Sequence, residues 1–106
     1  MKNLKRSDQA ILFYVKHNKE INSFFNVKKK ELILNKEFFN HPYEIVFRSL
    51  SDSLKLVGKM NNEVRGKKID NIINNLRKNN SLKETLGGCV IKKVNQSVII
   101  SKEHKI

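Results

Sequence analysis

Residues 66–101 read GKKIDNIINNLRKNNSLKETLGGCVIKKVNQSVIIS, and within them the spacing of apolar residues changes from helical to strand-like. From residue 66 to residue 79 the apolar positions are those of a single helix face: Ile69, Ile72, Ile73 and Leu76. From Thr85 onward the chain has two β-branched runs, residues 89–94 and 98–101, separated by Asn-Gln-Ser. Such runs around a polar turn predict a β-hairpin. A helix followed by a hairpin indicates an α+β fold.

Residues 42–58 predict another helix before this stretch. Pro42 suits the first position of a helix, where its missing N–H group leaves no hydrogen bond unmade. Glu44 complements the positive end of the helix dipole, and Gly58 is a natural terminator. The apolar positions again form one stripe: Val46, Leu50, Leu54 and Val57.

The N-terminal part of the chain predicts a third helix and one strand. Residues 1–25 have the pattern of a helix, residues 26–30 are a polar break, and residues 31–35 (ELILN) indicate a short strand. We expect Phe38 and Phe39 to seed the core. The predicted fold is a small, mainly helical α+β domain with a short strand and a C-terminal β-hairpin.

The composition is strongly basic. The 106 residues include 22 Lys and Arg but 10 Asp and Glu, so the formal net charge is +12, and the length suits one domain or part of a larger protein. However, 18 Lys, 14 Asn and 11 Ile make up 43 of the 106 residues. A/T-rich codons encode all three, so codon usage accounts for part of the basicity without an anionic partner. The four arginines are more informative, because only a guanidinium grips phosphate with a planar fork.

The sequence contains no recognisable catalytic or metal-binding constellation. Cys89 is the only cysteine, which excludes an internal disulfide, and we expect it to be a buried structural thiol. The histidines lack the spacing of metal ligands: His17, His41 and His104. Gly87 and Gly88 precede a strand, whereas a phosphate-binding loop places its amides at a helix N-terminus. We therefore expect neither a metal nor an ATP site in this chain.

The same sequence predicts a soluble, cytoplasmic protein. No apolar run approaches the roughly 18 residues of a membrane span, and the N-terminus lacks the pattern of a signal peptide.

The best candidate binding site is the start of the helix predicted at residues 66–79. Arg65, Lys67 and Lys68 lie where free backbone N–H groups and the helix dipole attract anions. The alternative is a solvated turn made basic by codon usage. Arg48 is a further candidate, although ion pairs with Glu44 and Asp52, each one turn away, would also explain it.

Five short motifs, in this order, resemble the C-terminal region of bacterial tRNA(Ile)-lysidine synthetases, most closely the short alphaproteobacterial type. They are PYEIVFR at residues 42–48, VG at 57–58, RGKKI at 65–69, TLGGC at 85–89 and VIISKE at 98–103. The resemblance covers residues 31–106 and implies a C-terminal tRNA-recognition domain there. Residues 1–30 would then be a helical connector to a missing N-terminal catalytic domain.

The resemblance also implies a function. Enzymes of this family use ATP to activate the wobble cytidine of the isoleucine tRNA with a CAU anticodon, and then attach lysine to it. Their adenylating domain carries a Ser-Gly-Gly-x-Asp-Ser loop that this chain lacks, so no catalytic residue is carried over. The family pattern implies tRNA contacts at four basic positions and a structural glycine pair: Arg48, Arg65, Lys67, Lys68, Gly87 and Gly88.

Two other functions fit the residues. The helices at 42–58 and 66–79 could form a general DNA- or RNA-binding module, although the linker of seven residues between them is long for a helix-turn-helix. Alternatively, the chain is a non-catalytic protein-interaction domain whose charge reflects codon usage alone.

Overall fold

The computed structural model describes residues 6–58 and 66–103, which form three α-helices, a short 3-10 helix and five strands. The helices are α1 (Arg6–Ile21), the 3-10 helix (Lys36–Phe39), α2 (Tyr43–Gly58) and α3 (Gly66–Lys78). The strands are β1 (Ser23–Asn26), β2 (Glu31–Leu34), β3 (Ser81–Leu86), β4 (Cys89–Val94) and β5 (Ser97–Lys102). The predicted α+β fold class is therefore confirmed.

The five strands form one antiparallel sheet in the order β1-β2-β5-β4-β3. Because β5 lies between β2 and β4, the N-terminal hairpin and the C-terminal strands share this sheet. Leu32 is opposite Ile100, which is opposite Ile91, and all three side chains are buried. Directly paired residues project to the same face, so these residues mark the covered face of the sheet.

Helices α2 and α3 pack on the covered face and complete the core. Each helix contributes the apolar stripe predicted for it, and all of these side chains belong to one buried cluster: Val46, Leu50, Leu54, Val57, Ile69, Ile72, Ile73 and Leu76. Phe38 is fully buried in the same cluster and Phe39 packs against it, as expected. Removing this apolar surface from water is the main favourable term in folding.

The structure corrects the prediction that residues 1–25 form a helix. Helix α1 ends at Ile21, and β1 begins at Ser23 and pairs with β2, with Phe25 opposite Leu32. Aromatic residues favour strands, and pairing with β2 satisfies backbone groups of this segment, although Phe24 and Phe25 are both exposed. The Ser23 hydroxyl donates to the carbonyl oxygen of Lys19 at the end of the helix.

The structure also adds β3, which is absent from the predicted fold. Its sequence SLKETL has only two apolar residues, and its side chains alternate between exposed and half-buried. Because β3 is an edge strand, it needs only one partner and a partly buried face, so its pattern is weak. The domain is therefore built on a five-stranded sheet rather than on a short strand and a hairpin.

The turn between β3 and β4 consists of Gly87 and Gly88, which have φ angles of 62° and 77°. Two successive positive φ angles are typical of a type I′ hairpin turn, which side chains with a Cβ atom disfavour. The end of α2 lies against this turn. A Cβ atom on Gly58 would overlap the carbonyl oxygen of Gly87 and lie 3.1 Å from Sγ of Cys89.

Helix α1 packs on α2 through Asn18, which is fully buried. Its Nδ2 group donates hydrogen bonds to the carbonyl oxygen of Phe38 and to Oγ of Ser49, each 3.1 Å long. Helix α1 and β1 thus belong to the same packed unit as the rest of the described chain. The boundary expected between residues 30 and 31 falls within the β1–β2 hairpin.

The side of α1 that faces away from α2 carries an apolar stripe. Phe13, Tyr14 and Ile21 are 64%, 52% and 60% exposed, and the ring of Phe13 stacks on His17. We call these four residues the outer stripe of α1. No helix within residues 6–58 and 66–103, α1 included, is long and apolar enough to cross a membrane.

Candidate nucleic-acid interface

The first turn of α3 exposes two of the predicted tRNA-binding residues. Gly66, Lys67 and Lys68 are all exposed, and the turn contains no acidic residue. The first four backbone N–H groups of a helix have no acceptor within the helix, and the dipole makes this end positive. The turn is therefore an attractive position for an anion. Arg65 lies outside the described residues.

A groove between α1, α2 and the start of α3 brings Arg48 close to this turn. The groove has a volume of about 390 Å³, and Leu12, Phe47, Arg48 and Gly66 are among the residues that line it. We call it the Arg48 groove. Sequence reasoning named Arg48 and the α3 N-terminus separately, and the fold places them on the walls of one groove.

Arg48 is partly neutralised by its own helix. Its Nε atom donates to Oε1 of Glu44 over 2.7 Å, and the side chains of the two residues are 40% and 52% exposed. Asp52, the other predicted partner, forms an ion pair with Lys19 of α1 instead, at 2.8 Å. Since the bond to Glu44 uses Nε, the donors of Arg48 that suit bidentate binding of a phosphate are its terminal nitrogens.

A second groove lies between α3 and β3 and is polar. It has a volume of about 440 Å³, and its walls include Lys68, Asn71, Asn75, Lys78 and Glu84. We call it the Glu84 groove. Lys68 therefore connects the first turn of α3 to this groove, while Gly66 belongs to the Arg48 groove.

Sequence reasoning missed most of the Glu84 groove. The α3 residues Lys68, Asn71, Asn75 and Lys78 recur at spacings of three, four and three, which is a detectable polar stripe on one flank of the helix. The position of Glu84 opposite this flank depends on β3, which the sequence pattern does not reveal.

The other flank of α3 is joined to α2. The Tyr43 hydroxyl donates to Oδ1 of Asp70, and the guanidinium of Arg77 lies 5.8 Å from the centroid of the Tyr43 ring. Desolvation of the phenol and its hydrogen bond to the Asp70 carboxylate raise the pKa of Tyr43 to about 12. Arg77 therefore has a cation–π partner within the domain.

Lys92 and Lys93 are adjacent residues of β4 and therefore project to opposite faces of the sheet. The Lys93 ammonium donates to the carbonyl oxygen of Leu76 beneath α3. Lys92 lies on the opposite face and is paired directly with Lys83 of β3. The face of the sheet opposite α2 and α3 therefore carries two neighbouring lysines, Lys83 and Lys92, that no sequence motif marks.

Cys89 is buried beneath α2, which agrees with the prediction of a structural thiol. Its Sγ atom lies 3.4 Å from the carbonyl oxygen of Leu54. Desolvation raises the pKa of Cys89 to about 11, so the reactive thiolate is scarce near neutral pH. Within residues 6–58 and 66–103 no three histidine, cysteine or acidic side chains cluster as they would around a metal ion.

The chain matches no protein-family model, no curated protein and no solved structure.

Proposed function

We propose that this chain is the tRNA-recognition portion of a tRNA(Ile)-lysidine synthetase, the enzyme that uses ATP to join lysine to the wobble cytidine of a CAU-anticodon isoleucine tRNA. The observation that carries the proposal is the first turn of α3, which exposes Lys67 and Lys68 and contains no acidic residue. This turn is part of RGKKI, one of the motifs on which the resemblance rests. Catalysis and ATP binding belong to an adenylating domain, and the site of action is the cytoplasm.

Phosphate groups of the tRNA backbone are the natural ligands of this surface. Backbone N–H groups at the start of α3 and the ammonium groups of Lys67 and Lys68 supply donors and positive charge. The adjoining Arg48 groove adds a guanidinium on the side of Gly66. Such contacts fix the position of the RNA and release counterions, so binding weakens as the salt concentration rises.

The outer stripe of α1 supports a contact with the adenylating domain. Phe13, Tyr14 and Ile21 are each more than half exposed, and clustered apolar side chains of this kind are typical of protein–protein contacts. We expect a separately supplied adenylating domain to bind the chain and, with ATP, lysine and tRNA, to regain ligase activity. Changing Phe13 and Ile21 to serine should abolish this gain while leaving tRNA binding to the isolated chain intact.

The tRNA-binding site is tested by a matched pair of double variants, each of which removes two positive charges. Arg65→Ala with Lys67→Ala changes the RGKKI motif, and Lys28→Ala with Lys29→Ala changes the exposed β1–β2 turn. We expect the first double variant to bind the isoleucine tRNA about tenfold more weakly or worse, which corresponds to a loss of about 1.4 kcal/mol in binding free energy. Its log–log salt slope should become shallower by roughly 0.7–0.9 per lost phosphate contact. Fluorescence anisotropy at several salt concentrations measures both quantities.

Equal affinities for the two double variants would contradict the assigned site. Absence of tRNA binding at every salt concentration would contradict the function and favour a protein-interaction domain. Equally effective competition by duplex DNA would favour a general nucleic-acid-binding module.

A further inference from the structure

The sheet has a second face, opposite α2 and α3, which we call the open face. Each described strand residue that projects to it is exposed or half-buried. Direct pairing across all five strands places one row of residues on this face: Phe24, Ile33, Ile99, Lys92 and Lys83. Neighbouring strands are about 4.8 Å apart, so the row is about 19 Å long, and it is apolar at one end and cationic at the other.

Lys83 and Lys92 form the cationic end of the row and lie directly opposite each other. Both are exposed, and neither ammonium group forms an ion pair with another described residue. Like charges at directly paired positions destabilise a sheet, so an anion bound by both lysines would relieve their repulsion. Together with Ile99 they line a groove of about 240 Å³. The two lysines are therefore accessible to a single ligand.

Phe24 forms the other end of the row, on the edge strand β1, and is 67% exposed. Its ring offers a flat apolar surface, which the half-buried Ile33 and Ile99 extend towards the lysines. Proteins that bind single-stranded nucleic acids combine these two features: bases stack on exposed aromatic rings, and cations lie along the phosphate backbone.

We propose that the open face binds a single-stranded segment of RNA that crosses the strands, with an unpaired base stacked on Phe24 and backbone phosphates on Lys83 and Lys92. Loops and ends of folded RNA molecules supply such unpaired nucleotides. Every base has a π-face, so stacking on Phe24 should be largely independent of base identity. This inference rests on the proposed function for its choice of RNA, and it adds a contact surface on the other side of the sheet from α3.

The same residues disfavour other anionic partners. A duplex keeps its bases stacked inside, so it offers phosphates to the lysines but no free base to Phe24. Glu31 is the only acid among the described strand residues of the open face, and it lies in the next row, paired with Ser101. It would repel a uniformly acidic peptide or an anionic lipid surface, whereas a single strand can place neutral bases beside it.

A tryptophan probe tests the stacking contact in the complete chain, which has no tryptophan of its own. We expect the emission of Phe24→Trp to be quenched by hexauridylate and by hexaadenylate, but not by an RNA duplex of the same length. The matched control is Phe13→Trp on α1, where the side chain is 64% exposed and quenching should be absent. Phe24→Ala should weaken binding of either hexamer about fivefold or more, and Phe13→Ala should not.

A matched pair of double variants tests the phosphate contacts. Lys83→Gln with Lys92→Gln should weaken binding of both hexamers and make the log–log salt slope shallower by about 1.4, as for two phosphate contacts. Lys16→Gln with Lys36→Gln removes two exposed charges elsewhere and should leave the slope unchanged. Because the first double variant also removes the repulsion between paired lysines, without RNA it should unfold at an equal or higher urea concentration. A loss of binding would then not reflect unfolding.

Absence of hexamer binding, an unquenched Phe24→Trp, or equal affinities of the test and control variants would overturn the inference. Binding of phosphatidylserine vesicles that depends on Phe24, without hexamer binding, would overturn it in favour of a membrane surface.

The α3 turn provides the distinction from the proposed function. Arg65→Ala with Lys67→Ala should leave the quenching of Phe24→Trp by the hexamers intact. If that double variant loses tRNA binding while Phe24→Trp is never quenched, the proposed function stands and this inference fails. Conversely, quenching in a chain that does not bind the isoleucine tRNA would support the open face and contradict the proposed function.

Discussion

Helices α2 and α3 pack on the same face of the sheet, but they use their remaining surfaces differently. In α2, eight of 16 residues are buried, because the helix contacts α1, α3 and three strands. In α3, four of 13 residues are buried, and most of the others are lysines and asparagines that are exposed or half-buried. Helix α2 therefore holds the layers together, whereas α3 stabilises the core with one stripe and presents polar groups with the rest.

The two helices also differ in how their positive charges are balanced. Arg48 of α2 is bonded to Glu44 in the first turn of the same helix. The first turn of α3 has two exposed lysines and no acid. A positive net charge of +12 is thus a poor guide to a binding site, because a charge that is already paired contributes less to binding a phosphate. The location of unbalanced charge on α3 is more informative.

The largest expected effect is a loss of stability, and it distinguishes a substitution at the end of α2 from one at the start of α3. Gly58→Ala should reduce the free energy of unfolding by about 3 kcal/mol, because the new Cβ would overlap the backbone of the Gly87 turn. Urea unfolding followed by circular dichroism measures this change.

The matched substitution at the start of α3 is Gly66→Ala, whose Cβ would lie 3.4 Å from the ring of Phe47, an ordinary contact. We expect its stability to remain within about 1 kcal/mol of the original protein, with a gain from the higher helix propensity of alanine. Similar losses for both variants would contradict the view that α2 is the tightly packed helix.

A smaller effect concerns Cys89, which is covered by α2. Its folded pKa of about 11 exceeds the unfolded value of roughly 8.5, so the folded state retains the proton longer. This contribution to stability is fully present below the unfolded pKa and is lost as pH rises towards the folded pKa. By pH 10 we expect a loss of about 1–2 kcal/mol.

The comparison protein is Cys89→Ala, which lacks the thiol and should show a correspondingly smaller decrease in stability between pH 8 and pH 10. Reaction with a thiol reagent should be slow in the folded protein and fast in urea. Rapid reaction of the folded protein would indicate that α2 does not shield this face of the sheet.

The smallest expected effect concerns the contact between the two helices. Tyr43→Phe removes the hydrogen bond to Asp70 but keeps the ring beneath Arg77, so we expect a loss of about 0.5–1 kcal/mol. The absorbance change of tyrosine ionisation near pH 12 should also disappear, since desolvation and Asp70 raise the pKa of Tyr43 to that value. Unchanged titration in the variant would show that Tyr43 is not the residue titrating there.

The local pattern of apolar residues was sufficient to predict much of the fold. The stripes of α2 and α3, the strand at residues 31–34 and the hairpin of β4 and β5 follow from periodicity, because each buries one face of a regular element. Strands β1 and β3 could not be predicted from this periodicity. Both lie at the edges of the sheet, where pairing with a neighbouring strand, rather than a strong apolar alternation, stabilises the extended backbone.

The amino-acid sequence by itself determined the α+β class, the helix stripes and the presence of lysines at the start of α3, since these depend on spacing along the chain. Tertiary structure decided which charges are balanced and which groups share a groove. Asp52 pairs with Lys19 rather than with Arg48, and Glu84 lies across a groove from α3 residues that are 6 to 16 positions earlier in the chain. Charge balance and hydrogen bonding depend on distances of a few ångströms in space, and the packing of α1 against α2 and of β3 against α3 sets those distances.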